Sequence, residues 1–179
     1  METYISILRG INVSGQKKIK MLDLKCLYEN LGFQDVQTYI QSGNVIFKSP
    51  KIGKAILKNE IETKISKQYG FSVPVQVLEL QELIEVFASN PFVNKRNEDI
   101  SKLHVTFLEE VPEAELRSEI MNIQSASDEF IINGKVVYVF CPNGYGRTKL
   151  NNTFFEKKLK TSATTRNWKT ISKLVELSN

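Results

Sequence analysis

The sequence is poor in the residues that most readily carry chemistry by themselves. Among 179 residues there are two cysteines, one histidine and one tryptophan. Cys26 and Cys141 lie far apart and form neither a zinc-site spacing nor a redox motif, so a disulfide framework and a cysteine metal site are excluded. A lone histidine, His104, excludes any site that needs two. It sits inside Leu103-His104-Val105-Thr106-Phe107 with no nucleophile motif beside it, which favours a structural role. Five prolines and nine glycines are too few for a low-complexity or collagen-like chain. No apolar run approaches the roughly 20 residues of a membrane span. The opening Glu2-Thr3-Tyr4-Ile5 does not read as a signal peptide, so a cytoplasmic protein with reduced thiols and no membrane partner is expected. No cofactor motif and no metal-ligand cluster is legible, and no catalytic residue stands out.

What is present is an ordinary globular composition, 41% hydrophobic and 25% charged, with an uneven charge distribution. Residues 1–70 carry eleven Lys/Arg against six Asp/Glu, residues 71–142 five against twelve, and residues 143–179 eight against two. Two basic ends flank an acidic middle. Either the ends converge on one anionic partner or they pack against the middle.

Periodicity supplies the fold. Tyr4 to Arg9 reads as a strand, Gly10 to Lys20 as a loop, and Met21, Leu24, Leu27, Tyr28 and Leu31 fall at helical spacing up to Gly32. Val36 to Gln41 and Asn44 to Lys48 read as strands joined by a two-residue turn, Ser42-Gly43. A helix from about Gly53 to Gln68, with Ile56, Leu57, Ile61 and Ile65 on its apolar side, leads to a strand Ser72 to Leu78. There Pro74 suggests a sheet edge. The order is βαββαβ, that of ferredoxin-like folds. The first strand must then lie between Asn44–Lys48 and Ser72–Leu78. Alternation puts Gln37, Tyr39 and Gln41 on one sheet face, with Tyr4 and Ser6 expected beside them. That open face could stack bases or pack on another surface.

The second half reads as a short helix Leu80 to Ala88, a polar loop Asn90 to Lys102, and a strand Leu103 to Leu108. A helix from Pro112 to about Ile123 follows, then a hairpin of Asp128 to Asn133 and Lys135 to Cys141 across Asn133-Gly134. Two closing helices are expected, one after an N-cap at Thr148 and one after an N-cap at Thr165. The expected class is therefore α+β, with a ferredoxin-like subdomain at 1–79 and a degenerate pseudo-repeat at 80–179 that has extra C-terminal helices where its last strand would be.

The two closing helix starts suggest an anion site. Each would expose N-terminal amides beside fixed cations: Arg147 and Lys149 at the first, Arg166 and Lys169 at the second, with Asn167 as a neutral donor. Gly144-Tyr145-Gly146-Arg147-Thr148-Lys149 lacks the spacing of a P-loop and is otherwise a turn.

Four segments carry a resemblance. Leu8-Arg9-Gly10-Ile11-Asn12-Val13, Tyr39-Ile40-Gln41-Ser42-Gly43-Asn44-Val45-Ile46-Phe47, Gly146-Arg147-Thr148-Lys149-Leu150 and Thr164-Thr165-Arg166-Asn167-Trp168 resemble the signature segments of the bacterial family called domain of unknown function 1697. The resemblance implies an α+β fold with ferredoxin-like subdomains and no assigned activity. Ser14 stands where the pattern leads us to expect glycine, Gln16 where a basic residue is common, and Thr148 where serine is usual.

Together these readings give an anion-binding crevice built from Arg9, Asn12, Lys18, Ser42, Asn44, Arg147, Lys149, Arg166 and Asn167, with the three arginines meeting in space. The expected partner is nucleic acid or a nucleotide. The alternatives are an enzyme acting on a phosphorylated small molecule, and a homo-oligomeric interaction module with no small ligand.

Overall fold

The computed structural model describes residues 1–123 and 127–178. The chain forms two compact units, one of residues 1–84 with the chain's end from Leu174, the other of residues 85–173. β-Branched and aromatic residues favour the pleated surface of a sheet, and each unit is built around four such segments.

In the first unit the elements run β1 (Glu2–Leu8), α1 (Met21–Glu29), β2 (Gln34–Tyr39), β3 (Asn44–Ser49), α2 (Lys54–Tyr69) and β4 (Val75–Glu79). The sheet order is β2-β3-β1-β4, all antiparallel. β1 is central, as expected, paired with β3 from Glu2↔Ser49 to Ile7↔Asn44 and with β4 from Tyr4↔Glu79 to Leu8↔Val75. Leu24, Leu27 and Tyr28 of α1 and Leu57, Ile61 and Ile65 of α2 pack with Tyr4, Leu8, Val45 and Phe47 in one core. Both helices therefore cover the same sheet face. Ile56 lies outside that stripe, exposed on α2.

α3 (Leu80–Ala88) and the short α4 (Pro91–Asn94) follow. α4 lies within the stretch expected to be a polar loop, and Asn90 starts it by accepting from the Phe92 N–H at 3.0 Å. The second unit continues with β5 (Leu103–Leu108), α5 (Ala114–Met121), β6 (Glu129–Asn133), β7 (Val136–Phe140), α6 (Asn152–Leu159) and β8 (Ala163–Asn167), before α7 (Trp168–Ser178). Its sheet order, β6-β7-β5-β8, repeats that of the first. Leu108, Val137, Val139 and Ala163 of the sheet pack with Ile120 of α5 and with Phe155 and Leu159 of α6.

The second half is therefore not degenerate: β8 supplies the strand that was expected to be missing. Thr164 and Thr165 are β-branched and pair with Phe107 and Thr106, and that pairing outweighs the capping tendency of threonine. The Thr165 hydroxyl donates to Asn152 Oδ1 at 2.7 Å and lies 2.7 Å from Thr106 Oγ1. The cap of α7 is Asn167, whose Oδ1 accepts from the Thr170 N–H at 2.8 Å. Likewise α6 starts at Asn152 behind Asn151, which accepts from Phe154 N at 3.0 Å. Thr148 instead turns its hydroxyl onto the Leu150 N–H at 3.0 Å.

The β2–β3 connection is longer than the expected two-residue turn, running from Ile40 to Gly43 with both ends at positive φ, 51° and 80°. Glycine is required at 43 for contact as well as for φ. A Cβ there would lie 2.6 Å from Ile11 Cδ1 and 2.8 Å from Leu8 Cβ.

Candidate functional site

The Gly10–Lys20 loop turns by repeated left-handed residues, Gly10, Asn12, Ser14, Gly15 and Lys17, at φ between 44° and 75°. Such a conformation costs a non-glycine residue roughly 1 kcal/mol or more, so it persists where surrounding bonds hold it. Asn12 is the main clasp. Its Nδ2 donates to the carbonyls of Ile19 and Gln41, each at 2.9 Å, and its Oδ1 accepts from the Ile19 N–H at 2.9 Å. Lys17 ties the other side, its Nζ donating to the Ser72 carbonyl at 2.7 Å.

The clasped loop walls a cavity of about 570 Å3 in the first unit. It is lined by Asn12, Gly15, Lys18, Ile19, Lys20 and Gln41, by Met21 and Asp23 of α1, and by Tyr69, the last residue of α2. α1 starts here. Its N-cap is Lys20, which makes no capping hydrogen bond. The amides of Met21, Leu22 and Asp23 precede the first intrahelical bond, Leu24 N–H to the Lys20 carbonyl at 2.9 Å, and without a side-chain cap they carry the positive end of the helix dipole. Lys18 and Lys20, both exposed, add two ammonium groups. Asp23 opposes them with one carboxylate. Burial first, then the negative charge of Asp23, pushes the Tyr69 hydroxyl above its ordinary pKa, against a hydrogen bond from Gln68. Tyr69 is stacked on Phe71 with ring centroids 5.8 Å apart, which fixes its face.

The expected site residues divide. Asn12 and Lys18 line the cavity. Arg9 and Ser42 do not; Arg9 is half-buried beside β4, with its backbone N–H on the Pro74 carbonyl at 2.9 Å. Asn44 is fully buried, its Nδ2 donating to the Tyr39 carbonyl at 2.9 Å and to Ser42 Oγ at 3.1 Å, so it shapes the β2–β3 loop. The remaining four belong to the second unit and form no helix-start cluster. Arg147 and Lys149 are exposed on the loop after β7. Arg166 lies in β8, buried, where desolvation pushes its pKa down to about 10, and Asn167 caps α7. Lys169 lies in the first turn of α7, and the Arg166 side chain donates to its neighbour's carbonyl, Thr165 O, at 3.0 Å.

The expected base-stacking face is overturned. Register puts Ser6 beside Val45 and Thr38, on the helix-covered face of the sheet. Tyr4 is buried against Phe47 with ring centroids 5.8 Å apart. The Ser6 hydroxyl lies 2.7 Å from that of Tyr28, whose pKa burial raises. Alternation within β2 holds, with Val36 in the core and Thr38 paired with Val45; the error lies in setting Tyr4 and Ser6 beside Gln37 and Tyr39, because only the pairing of β1 with β3 fixes which residues of the two strands share a face.

Tyr69 and Asp23 were missed as site residues. Each looks like an ordinary helix position, and only the packing of α2 beside α1 brings them to one cavity. Among the described residues no group of three or more His, Cys, Asp or Glu side chains is arranged to hold a metal, and no helix is long and apolar enough to cross a membrane.

A family model described as "Protein of unknown function (DUF1697)" matches residues 1–138. Among solved structures, the conserved bacterial protein SP0830 from Streptococcus pneumoniae superposes with a TM-score of 0.77 at 24% identity, over 99% of each chain. At that identity the likeness shows the fold alone. No curated protein matches the chain.

Proposed function

We propose, for a chain that belongs to the DUF1697 family, that the first unit binds a small phosphate-bearing ligand of nucleotide size in the cavity at the start of α1. The observation that carries this reading is the uncapped N-terminus of α1 opening between Lys18 and Lys20 onto a space of about 570 Å3. That volume suits a small-molecule site. The phosphate would take the first-turn amides and the two ammonium groups, and the Tyr69 ring would flank the remainder. The burial of Tyr4 favours a mononucleotide over a nucleic-acid strand, because it removes the aromatic platform that strand binding uses. The βαββαβ order with a central first strand supports reading each unit as ferredoxin-like.

Calorimetric titration with nucleoside monophosphates and with inorganic phosphate tests this. Lys18→Ala combined with Lys20→Ala is expected to weaken binding by about tenfold or more, since hydrogen bonds to charged groups contribute roughly 1.5–3 kcal/mol each. Arg147→Ala, in the second unit, is expected to leave binding unchanged. Heat release that persists unchanged in the double variant would place the ligand elsewhere, and none at all with any phosphate compound would remove the reading.

A further inference from the structure

A sheet edge exposes a row of unpaired backbone donors and acceptors, and stable monomers blunt such edges with bulges, prolines or charges. Three of the four edges here are blunted. β2 carries an irregularity between Gln34 and Gln37, with Asp35 at φ 49° and ion-paired to Lys48. β4 is preceded by Pro74. β8 holds Arg166 and runs directly into α7. β6 differs. Its sequence, Glu-Phe-Ile-Ile-Asn, has no proline and no lysine, its pairing with β7 is regular over all five residues, and Ile131 at its centre is 36% exposed.

We propose that the β6 edge is the docking surface for a second copy of this chain, with two β6 strands pairing antiparallel about Ile131. The register of the hairpin selects this arrangement. Asn133 and Val136 flank a two-residue loop, Gly134-Lys135, in which Gly134 is at φ 58°. In such a hairpin the flanking pair is hydrogen-bonded, and bonded pairs alternate along the ladder. Asn133, Ile131 and Glu129 thus turn their amides and carbonyls to β7, while those of Phe130 and Ile132 point outward. Centring two edges on Ile131 sets Phe130 against the partner's Ile132, and Ile132 against the partner's Phe130. All four outward groups on each side are then used.

Charge agrees with this register. Glu129 falls opposite the partner's Asn133, so no like charges face each other, and Glu129 is ion-paired with Arg96, which reaches both its oxygens at 2.6 and 3.0 Å and also binds Glu98. The two Ile131 side chains meet at the centre. Beside the strand, Ile132 lines a mixed groove of about 260 Å3 with Ala114, Arg117, Ser118 and Met121 of α5.

Sedimentation equilibrium of the full chain, from micromolar to millimolar concentration, is expected to show a reversible dimer. Ile131→Lys sets like charges opposite each other at the centre and is expected to weaken it by at least about tenfold. Ile56→Lys, on exposed α2, leaves it unchanged. A trap reads the register directly and keeps the test open if the lysine variant misfolds. In a Cys26→Ser background, which removes the exposed thiol and leaves Cys141 buried, Ile131→Cys is expected to oxidise to a covalent dimer. The facing pair brings Cα atoms to about 4.5 Å, within disulfide reach. Asn133→Cys, facing the partner's Glu129, stays uncrosslinked. A monomer at every concentration overturns the proposal, as does a dimer that survives Ile131→Lys in a folded chain, or Asn133→Cys cross-linking as readily as Ile131→Cys.

Discussion

His104 sits on β5 with its ring stacked on Tyr145, centroids 4.4 Å apart, and its Nδ1 is buried with no hydrogen-bond partner among the described residues. Burial holds its pKa below the ordinary 6.5, and the backbone of Lys102 offsets only part of that. The sign of the stability effect follows. Below about pH 6.5 the unfolded chain takes up a proton that the folded chain resists, so folding stability is fully present above that pH and declines as the pH falls through it. The decline ends once the folded form is protonated as well. Melting temperatures between pH 7.5 and 5.5 are expected to fall, and His104→Gln to flatten the slope, because this is the only histidine. An unchanged slope in the variant would assign the effect to other groups. The neighbours of His104 in the sequence point to a structural role. The Tyr145 stack was not legible, since a loop some forty residues on brings that ring in. Ser14 shows the opposite case. The family resemblance leads to an expectation of glycine there, and the observed φ of 49° is the reason a glycine would suit.

Where one physical signal dominated, elements were read from the sequence to the residue. β5 and α3 match their expected limits because period-2 and period-3.6 patterns were unopposed. Where two signals competed, the reading failed. Thr164-Thr165-Arg166-Asn167 has both the β-branching of a strand and the side chains of an N-cap, and only the presence of Thr106 on β5 as a partner decides for the strand. The cap moved two residues on, to Asn167. This gives a sharp comparison. Asn167→Ala removes the bond to Thr170 N and is expected to cost about 1 kcal/mol, as capping substitutions do. Thr165→Val, which keeps β-branching and removes the hydroxyl bonded to Asn152 and Thr106, is expected to leave Thr106 or Asn152 short of a partner at a cost of roughly 1–3 kcal/mol. Urea unfolding of both variants measures the two losses. If Asn167→Ala cost nothing and Thr165→Val lost only the fraying of α7, the threonine would be the cap after all.

At the scale of the molecule, the charge pattern led the sequence reading to a crevice joining both basic ends. The candidate cavity uses one of them: Lys18 and Lys20 in the first unit, with Asn12 as the clasp. Of the other cations, Arg166 is buried in its own strand. Composition could not reveal this, because the same excess of lysine and arginine serves a compact site, a strand interior or a solvated face. The salt dependence of binding separates these. Each phosphate neutralised contributes about 0.7 to 0.9 to the slope of log affinity against log salt. A cavity that takes one phosphate group predicts a shallow slope, about 1, for a nucleoside monophosphate. A polymer laid along both basic ends predicts a slope of about 4 or steeper for a labelled single-stranded oligonucleotide. Fluorescence anisotropy across a salt series is expected to give the shallow slope for the small ligand and only weak binding of the oligonucleotide. Tight, steeply salt-dependent oligonucleotide binding that Lys18→Ala with Lys20→Ala leaves intact would show that the charge of the whole chain, rather than the cavity at α1, selects the partner.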